Sequence, residues 1–182
     1  MNSFDLSQFH TLILDFDGVF TDNYVYLNTR GDELIRFSKY DSYGFNLLES
    51  ARKLGWHNLD ILVLSTETNN IVRIRCDKLK IRSYLGVFNK KSFVVDYLNA
   101  RVEQKQDLAG VIYLGNDIND LPVLKEVGLS IAPSDAHEFI KQDCKLVLNS
   151  HGGSGFIREA VDYLLNLKNR EPEEINELIL NC

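Results

Sequence analysis

The sequence predicts an α/β fold in which a parallel β-sheet is covered by helices on both faces. Short, continuous apolar runs of strand length recur along the 182-residue chain and alternate with segments of helical apolar spacing. Continuous apolar strands indicate burial on both faces, which is typical of parallel sheets. The chain is 45% hydrophobic and 25% charged, so it can form a globular domain with its own core.

The predicted elements follow one another closely along the chain. Strands are predicted over residues 12–14, 61–64, 111–114, 129–131 and 146–148, and helices over 43–54, 69–80, 91–104 and the terminal EPEEINELILNC. In the third helix, Val94, Leu98 and Val102 share one face. We predict one domain over residues 1–170 and a helical tail over 171–182.

Residues 24–37, YVYLNTRGDELIRF, depart from this alternation. Two runs rich in β-forming residues flank Thr29, Arg30, Gly31 and Asp32. A glycine-containing turn between two such runs is typical of a β-hairpin. We therefore predict a small β-hairpin flap between the first strand and the first helix.

The overall charge and the cysteines exclude several classes of function. A formal net charge of -6 argues against nucleic acid or an anionic membrane as partner, so an anionic substrate must meet local cations, a metal ion or backbone N–H groups. Cys76, Cys144 and Cys182 are far apart and lack zinc-binding spacing, which favours free thiols in a reducing, cytoplasmic setting. The N-terminus lacks the features of a signal peptide, and no apolar run reaches membrane-spanning length.

Polar residues follow the predicted strands at the point where each strand ends. Asp15 and Asp17 follow the first strand, Ser65 follows the second, Lys90 precedes the third helix, and GNDIND at residues 115–120 follows the next strand. Ligands of parallel α/β proteins bind beyond the carboxyl ends of the strands. We therefore expect these carboxylates, the hydroxyl and the lysine to converge on one edge of the sheet.

Each of these motifs has a simpler explanation when it is taken alone. Asp17-Gly18 could form a surface turn, GNDIND could begin a helix, Ser65 could cap one, and Lys90 could be solvated. A calcium-binding loop requires its glycine at the sixth position from the first aspartate, whereas Gly18 is fourth from Asp15. A glycosyltransferase-type D-x-D has no nucleotide-sugar motif nearby. The order of the motifs and their common placement after strands favour a catalytic site.

The chain resembles the haloacid dehalogenase superfamily, whose four motifs it contains in the same order. They are DFDGVFTD, the hydroxyl of Ser65, Lys90 and GNDINDLP. Within that superfamily it is most similar to the small, capless sugar-acid phosphatases. These include 3-deoxy-D-manno-octulosonate 8-phosphate phosphatases, nonulosonate 9-phosphate phosphatases and the C-terminal domains of CMP-sialic acid synthetases. The resemblance covers residues 10–165 and includes FSKYDSYG and HGGSGFIREA.

The resemblance implies a Mg²⁺-dependent phosphatase with a covalent intermediate. Asp15 corresponds to the nucleophile that forms an aspartyl-phosphate. Asp17 corresponds to the acid that protonates the leaving sugar oxygen and then accepts a proton from water, and its backbone carbonyl is expected to bind the metal. Ser65 and Lys90 are expected to hold the phosphoryl oxygens, because catalysis here depends on positioning and charge neutralisation.

The metal-binding motif departs from the pattern of many close relatives, which have two aspartates after the glycine. Here the pair is Asn116 and Asp117. Either the amide oxygen of Asn116 binds the ion without adding charge, or Asp117 compensates. The expected metal ligands are therefore Asp15, Asp17, Asn116 and Asp117. In animal CMP-sialic acid synthetases a related domain serves in assembly, but here Asp15 and Lys90 are both retained, which favours an enzyme.

The resemblance also implies an assembly and a substrate. Without a cap domain, a neighbouring subunit must complete the wall of the site, and relatives of this kind are tetramers, so we expect a homotetramer.

Octulosonate phosphatases typically have an arginine where this chain has Glu67, whereas nonulosonate phosphatases have a glutamate there and residues matching Arg75 and Lys78. We therefore expect a nonulosonate 9-phosphate, with octulosonate 8-phosphate as the alternative. A solvated basic face is the simpler explanation of Arg75 and Lys78, and Thr68 replaces a lysine common in those relatives. Asp120 is also expected to bind the substrate.

Overall fold

The computed structural model describes residues 5–101 and 107–182. The strands are β1 (Thr11–Leu14), β2 (Tyr26–Leu27), β3 (Glu33–Leu34), β4 (Asp60–Leu64), β5 (Arg82–Tyr84), β6 (Val111–Leu114), β7 (Leu129–Ala132) and β8 (Leu146–Val147). The α-helices are α1 (Lys39–Lys53), α2 (Ile71–Leu79), α3 (Lys90–Asn99), α4 (Leu121–Leu124), α5 (Glu138–Asp143), α6 (Phe156–Leu164) and α7 (Pro172–Leu180). Six strands form one parallel sheet in the order β5-β4-β1-β6-β7-β8, which confirms the predicted fold class.

The core lies in two layers, one on each face of the sheet. Alternate residues of β1 point to opposite faces, so Leu12 and Leu14 enter one apolar cluster while Ile13 enters the other. The first cluster includes residues of α1, α2, α6 and α7. The second includes residues of α3, α4 and α5. Because β1 lies between β4 and β6, the residues that follow it are near the middle of the carboxyl edge.

The element boundaries differ from the sequence-based ones for identifiable reasons. Helix α1 begins earlier than predicted, because the hydroxyl of Ser38 caps it by accepting a hydrogen bond from Asp41 N. Strand β5 is not predicted, because its Arg-Ser-Tyr sequence is short and polar and occupies an edge of the sheet. Helix α3 ends at Asn99, and the predicted continuation that includes Val102 lies outside the described residues.

The predicted hairpin is formed by β2 and β3, with Tyr26 paired to Leu34. The side chain of Asn28 accepts hydrogen bonds from the backbone N–H groups of Arg30 and Asp32, and this closes the turn. Between β1 and α1 the described chain contains no other strand or α-helix, so it has no inserted cap there.

The terminal helix α7 packs against α1 and shares the main core. Leu178 is buried in the first apolar cluster, and its carbonyl accepts a hydrogen bond from the Ser50 hydroxyl. The helical tail predicted over residues 171–182 is therefore packed against α1 and contributes Leu178 to the first apolar cluster. Among the described residues, no helix is both long enough and apolar enough to cross a membrane.

Candidate active site

Asp15 lies at the carboxyl end of the central strand β1 and is almost fully buried. Its backbone N–H donates to the carbonyl of Leu114, 2.8 Å away, and continues the pairing with β6. Its carboxylate Oδ1 accepts from the backbone N–H of Phe16 at 2.7 Å. The sheet therefore fixes both the backbone and the side chain of this aspartate.

Lys90 contributes the positive charge of the site from the first residue of α3. Its ammonium lies 2.7 Å from Oδ1 of Asp15 and 2.7 Å from Oδ1 of Asp120. All three side chains are nearly excluded from water. One buried ammonium is thus shared by two buried carboxyl groups.

The ionisation of this cluster reflects its burial. Burial and the charge of Asp120 raise the pKa of Asp15 to about 8, against the opposing effect of Lys90. Burial alone would lower the pKa of Lys90, but the charges of Asp15 and Asp120 outweigh it and raise that pKa. A further cation beside Asp15 would favour its ionised form.

The loop after β1 approaches Asn116 so closely that only glycine fits. Gly18 has a φ of 76°, and a Cβ built on it would lie 1.9 Å from Nδ2 of Asn116. Oδ1 of Asn116 is buried and has no hydrogen-bond partner within the described part of the chain. An unpartnered buried amide oxygen on a side chain that lies against the Asp17–Gly18 loop fits a divalent cation that prefers oxygen ligands.

The residues that could hold this cation are not all acidic. Residues 5–101 and 107–182 contain no group of three or more His, Cys, Asp or Glu side chains suited to a metal ion. A cation at this edge would therefore depend on amide and backbone oxygens as well as on carboxylates. Asp117 is exposed, and its carboxylate accepts from the backbone N–H of Ile118, 2.7 Å away, at the start of a short 3₁₀ turn.

Ser65 and Glu67 lie in the loop that follows β4, next to β1 in the sheet. The buried Ser65 Oγ accepts from Glu67 N at 3.0 Å and can still donate its own hydrogen. The Glu67 carboxylate accepts from the backbone N–H groups of Thr68 at 2.6 Å and Asn69 at 2.9 Å. Burial, reinforced by the charge of Glu67, raises the pKa of Asp17, so Glu67 acts electrostatically on this aspartate.

A glycine-rich loop before α6 supports the Asp17–Gly18 backbone from the other side. Gly153 N donates to the carbonyl of Val19 at 3.0 Å, and Gly152 N donates to the carboxylate of Asp135 at 3.0 Å. A Cβ built on Gly152 would lie 2.0 Å from the carbonyl oxygen of Gly18. The segment HGGSGFIREA thus allows two backbones to pack closely beside the site.

Asp41 is a supporting residue that the sequence argument does not identify. It is buried on α1, and its carboxylate accepts from the backbone N–H groups of Gly155 at 3.1 Å and Arg158 at 3.0 Å. A carboxylate from one helix therefore stabilises the first turn of α6. The resemblance to the family could have pointed to Asp41, because this residue lies within the FSKYDSYG segment.

Asp120, which is predicted from sequence to bind substrate, has its carboxylate surrounded by donors of the protein itself. Its side chain is fully buried, and Oδ1 accepts from Lys90 Nζ and from the Tyr113 hydroxyl at 2.8 Å. Oδ2 accepts from the backbone N–H groups of Asn116 and Asp117 at 3.0 and 3.3 Å. No part of this carboxylate is open to a substrate. Tyr113 is a second residue that the sequence argument misses.

Arg75 and Lys78 both lie on α2, and the contacts described for them are with residues other than Asp15, Asp17 and Lys90. The Arg75 guanidinium lies 4.7 Å from the centre of the Phe37 ring and donates to Ser42 Oγ at 2.6 Å. Lys78 lines a groove between α1 and α2 together with Asp60, the first residue of β4. The amino end of β4 is opposite to the end that Ser65 follows.

Comparison with known proteins identifies the family. A family model described as haloacid dehalogenase-like hydrolase matches residues 83–159. The 3-deoxy-D-manno-octulosonate 8-phosphate phosphatase of Salmonella typhi is 34% identical over 155 residues, which is 85% of this chain and 78% of the relative.

Solved structures agree with this assignment. The corresponding phosphatase from Yersinia pestis superposes with a TM-score of 0.77 at 29% identity, covering 91% of this chain and 85% of that one. The cobalt-bound deoxy-D-mannose-octulosonate 8-phosphate phosphatase of Haemophilus influenzae gives 0.76 at 30% identity, covering 90% and 91%. The chain therefore belongs to the haloacid dehalogenase-like hydrolases, within the capless sugar-acid phosphatases, and is a phosphoric monoester hydrolase.

Proposed function

We propose that this chain hydrolyses a 2-keto-3-deoxy sugar acid phosphate through an aspartyl-phosphate formed on Asp15, with a divalent cation bound beside it. The observation that carries the proposal is the buried Asp15 carboxylate at the end of the central strand, 2.7 Å from the Lys90 ammonium. A carboxylate in this position is fixed for attack, and the adjacent cation can offset the charge of a phosphoryl group.

The reaction is proposed to run in two displacements at phosphorus. In the first, a carboxylate oxygen of Asp15 forms a bond to phosphorus while the bond from phosphorus to the sugar oxygen breaks and Asp17 protonates that oxygen. In the second, Asp17 accepts a proton from a water molecule, whose oxygen bonds to phosphorus and releases Asp15. Lys90 and the Ser65 hydroxyl hold the phosphoryl oxygens. The raised pKa of Asp17, due to burial and to Glu67, suits a group that begins as an acid.

The cation is proposed to be Mg²⁺, held by the Asp15 carboxylate, the main-chain carbonyl of Asp17 and Oδ1 of Asn116. The unpartnered amide oxygen supports Asn116, and the exposed, hydrogen-bonded carboxylate of Asp117 makes this residue the weaker candidate. When bound, Mg²⁺ supplies charge neutralisation at the transferring phosphoryl group. The cobalt-bound form of the Haemophilus influenzae relative supports a divalent-cation site.

The preferred substrate is proposed to be a nonulosonate 9-phosphate. Glu67, which influences Asp17 electrostatically, supports this choice because octulosonate phosphatases typically have an arginine at that position. The second candidate is 3-deoxy-D-manno-octulosonate 8-phosphate, which is named in the relatives reported above. The two acids differ in chain length, so an exposed residue whose charge acts on Asp17 is a suitable discriminator.

We also propose that the chain works as a homotetramer in the cytoplasm. The hairpin exposes apolar side chains that a neighbouring subunit would cover, namely Tyr24, Val25, Tyr26, Leu27 and Leu34. Arg75 and Lys78 could then contact a substrate only in the site of another subunit. The free thiols of the three cysteines suit a reducing compartment.

The substrate proposal is tested by kcat/KM for both phosphates in wild type, Glu67→Arg and the control Asn70→Arg, an exposed position in the same loop. Wild type should prefer the nonulosonate phosphate, and only Glu67→Arg should reduce that preference. A wild-type preference for the octulosonate phosphate would overturn the assignment. The competing role as an assembly module requires negligible turnover on every phosphate tested while oligomerisation is intact.

A further inference from the structure

We infer that Tyr113 is a positioning residue for the phosphatase reaction. Its hydroxyl holds Asp120, and Asp120 in turn holds the Lys90 ammonium where it can meet the phosphoryl group. The inference rests on the proposed function, because it concerns the same Lys90 and the same reacting group. It adds a residue from the interior of the sheet, far along the chain from the first two motifs.

The geometry around Asp120 supports this role. The Tyr113 hydroxyl, at 2.8 Å, and the Lys90 ammonium, at 2.7 Å, donate to the same oxygen, Oδ1 of Asp120. The other oxygen accepts two backbone N–H groups, from Asn116 and Asp117. Four donors therefore fix this carboxylate in one orientation and distribute its charge.

Tyr113 lies in β6 where its hydroxyl, and not only its ring, has a specific role. Its side chain lies on the face covered by α3, α4 and α5, which is the face from which Lys90 enters the site. The residue is fully buried, and Ile13 is its neighbour on β1. Phenylalanine would fill the same space without a polar group, so the hydroxyl is the distinguishing contribution of tyrosine here. Burial and Asp120 raise the pKa of Tyr113 far above its usual value, which keeps the hydroxyl a donor.

The hydroxyl affects catalysis because Asp15 and Asp120 compete for one ammonium. The hydrogen bond from Tyr113 offsets part of the charge on Oδ1 of Asp120 and so weakens its attraction for Lys90. Without that bond, Lys90 is drawn towards Asp120 and away from Asp15. The loss should be greatest in the transition state, where charge on the transferring group must be met most accurately.

Tyr113→Phe tests this inference, with Tyr97→Phe as the matched control. Tyr97 donates to Asp60 Oδ2 at 2.6 Å, in a half-buried cluster at the opposite end of the sheet. In Tyr113→Phe we expect kcat to fall about tenfold with KM nearly unchanged, as for a lost hydrogen bond to a charged group. Calorimetric binding of orthovanadate, a transition-state mimic, should weaken by a similar factor, while binding of orthophosphate changes little. Tyr97→Phe should leave all these values unchanged.

A double-mutant cycle on vanadate binding tests whether Tyr113 acts through Asp120. In the Asp120→Asn background, Tyr113→Phe should have no further effect. The inference is overturned if Tyr113→Phe leaves kcat and vanadate binding unchanged, if Tyr97→Phe causes the same loss, or if the full loss persists in the Asp120→Asn background. Urea unfolding checks that each variant is folded. A wild type that releases no phosphate from sugar acid phosphates would overturn the proposed function, but the vanadate experiments would still test Tyr113.

Discussion

The two ends of the parallel sheet carry similar groups of side chains in very different surroundings. Both groups combine carboxylate, tyrosine and cationic side chains. At the carboxyl end Asp15 and Asp120 share Lys90 beside Tyr113, and at the amino end Asp60 is shared by Arg82, Arg101 and Tyr97. At the carboxyl end the lysine side chain is fully buried, whereas at the amino end the side chain of Arg82 is 54% exposed.

The difference shows that exposure to water, more than residue type, determines what such a group can do. Charges that are excluded from water interact strongly and lose much solvation free energy, so each requires its partners. Charges at the surface are screened, and their pairing contributes little. The fold therefore makes the group at the carboxyl end suited to the proposed chemistry and leaves the other as a half-buried ion-pair network.

The two ends of the sheet should differ most in kcat and in the free energy of unfolding when one cationic side chain is removed from each. Lys90→Met should lower kcat by a factor on the order of 100–1,000, because a positioned charge at the phosphoryl group is lost. It should also lower the free energy of unfolding by about 3–5 kcal/mol, because two buried carboxylates lose their partner. Steady-state kinetics and urea denaturation measure the two effects.

Arg82→Met is the matched control for Lys90→Met. It should leave kcat unchanged and alter the free energy of unfolding by less than about 1 kcal/mol, because Asp60 still contacts Arg101. Equal losses of stability in the two variants would show that burial does not distinguish the ends of the sheet.

A smaller effect is expected at Asn116, where the carboxyl end of the sheet has an amide side chain in place of a carboxylate. Asn116→Asp should lower the Mg²⁺ concentration needed for half-maximal activity several-fold, because a charged ligand replaces the unpartnered amide oxygen. A Mg²⁺ titration of activity measures the change. Asn119→Asp, an exposed position in the same turn, is the control and should leave the midpoint unaltered. An unchanged midpoint in Asn116→Asp would instead favour Asp117 as the ligand.

The smallest effect concerns a buried neutral group near the amino end, His57. Its Nδ1 accepts from Leu59 N at 3.1 Å, its Nε2 faces the carbonyl of Leu48 at 2.9 Å, and burial lowers its pKa. The unfolded chain binds a proton at about pH 6.5, before the folded chain does, so stability should fall as the pH decreases through that value. Urea denaturation at about pH 7.5 and pH 5.5 should show a larger loss in wild type than in His57→Gln. Burial also lowers the pKa of His10, which is common to both proteins, so identical losses would exclude a contribution from His57.

The sequence predicts the reactive end of the sheet better than it predicts how that end is held together. Asp15 can be identified because it follows an apolar strand, and Lys90 because it precedes a predicted helix in a fixed order of motifs; parallel α/β units bring such residues to one edge of the sheet. Tyr113 is hidden within a buried strand, where an aromatic residue is expected in any case. The carboxylate of Asp120 has four hydrogen-bond donors, of which Lys90 comes from a different motif and Tyr113 from a buried strand, so its burial could not be anticipated from the GNDIND segment alone.

Elements that depend on tertiary packing are also the ones that sequence patterns miss. Strand β5 is short and polar, and its pairing with β4 gives it extended structure in spite of its composition. Arg75 has the spacing of a basic surface residue, but it packs on Phe37. A hydrophobic pattern does not show where an aromatic ring from another element will lie.

Trapping of the covalent intermediate tests the central claim that buried Asp15 is the nucleophile. Wild type and Asp15→Asn are mixed with radiolabelled nonulosonate 9-phosphate and Mg²⁺, quenched in acid and digested. Label should be found on the peptide that contains Asp15 in wild type, should be released by hydroxylamine, and should be absent from Asp15→Asn, whose circular dichroism spectrum is unchanged. Phosphate release by wild type with no label on the protein, or with label on another residue, would contradict the account.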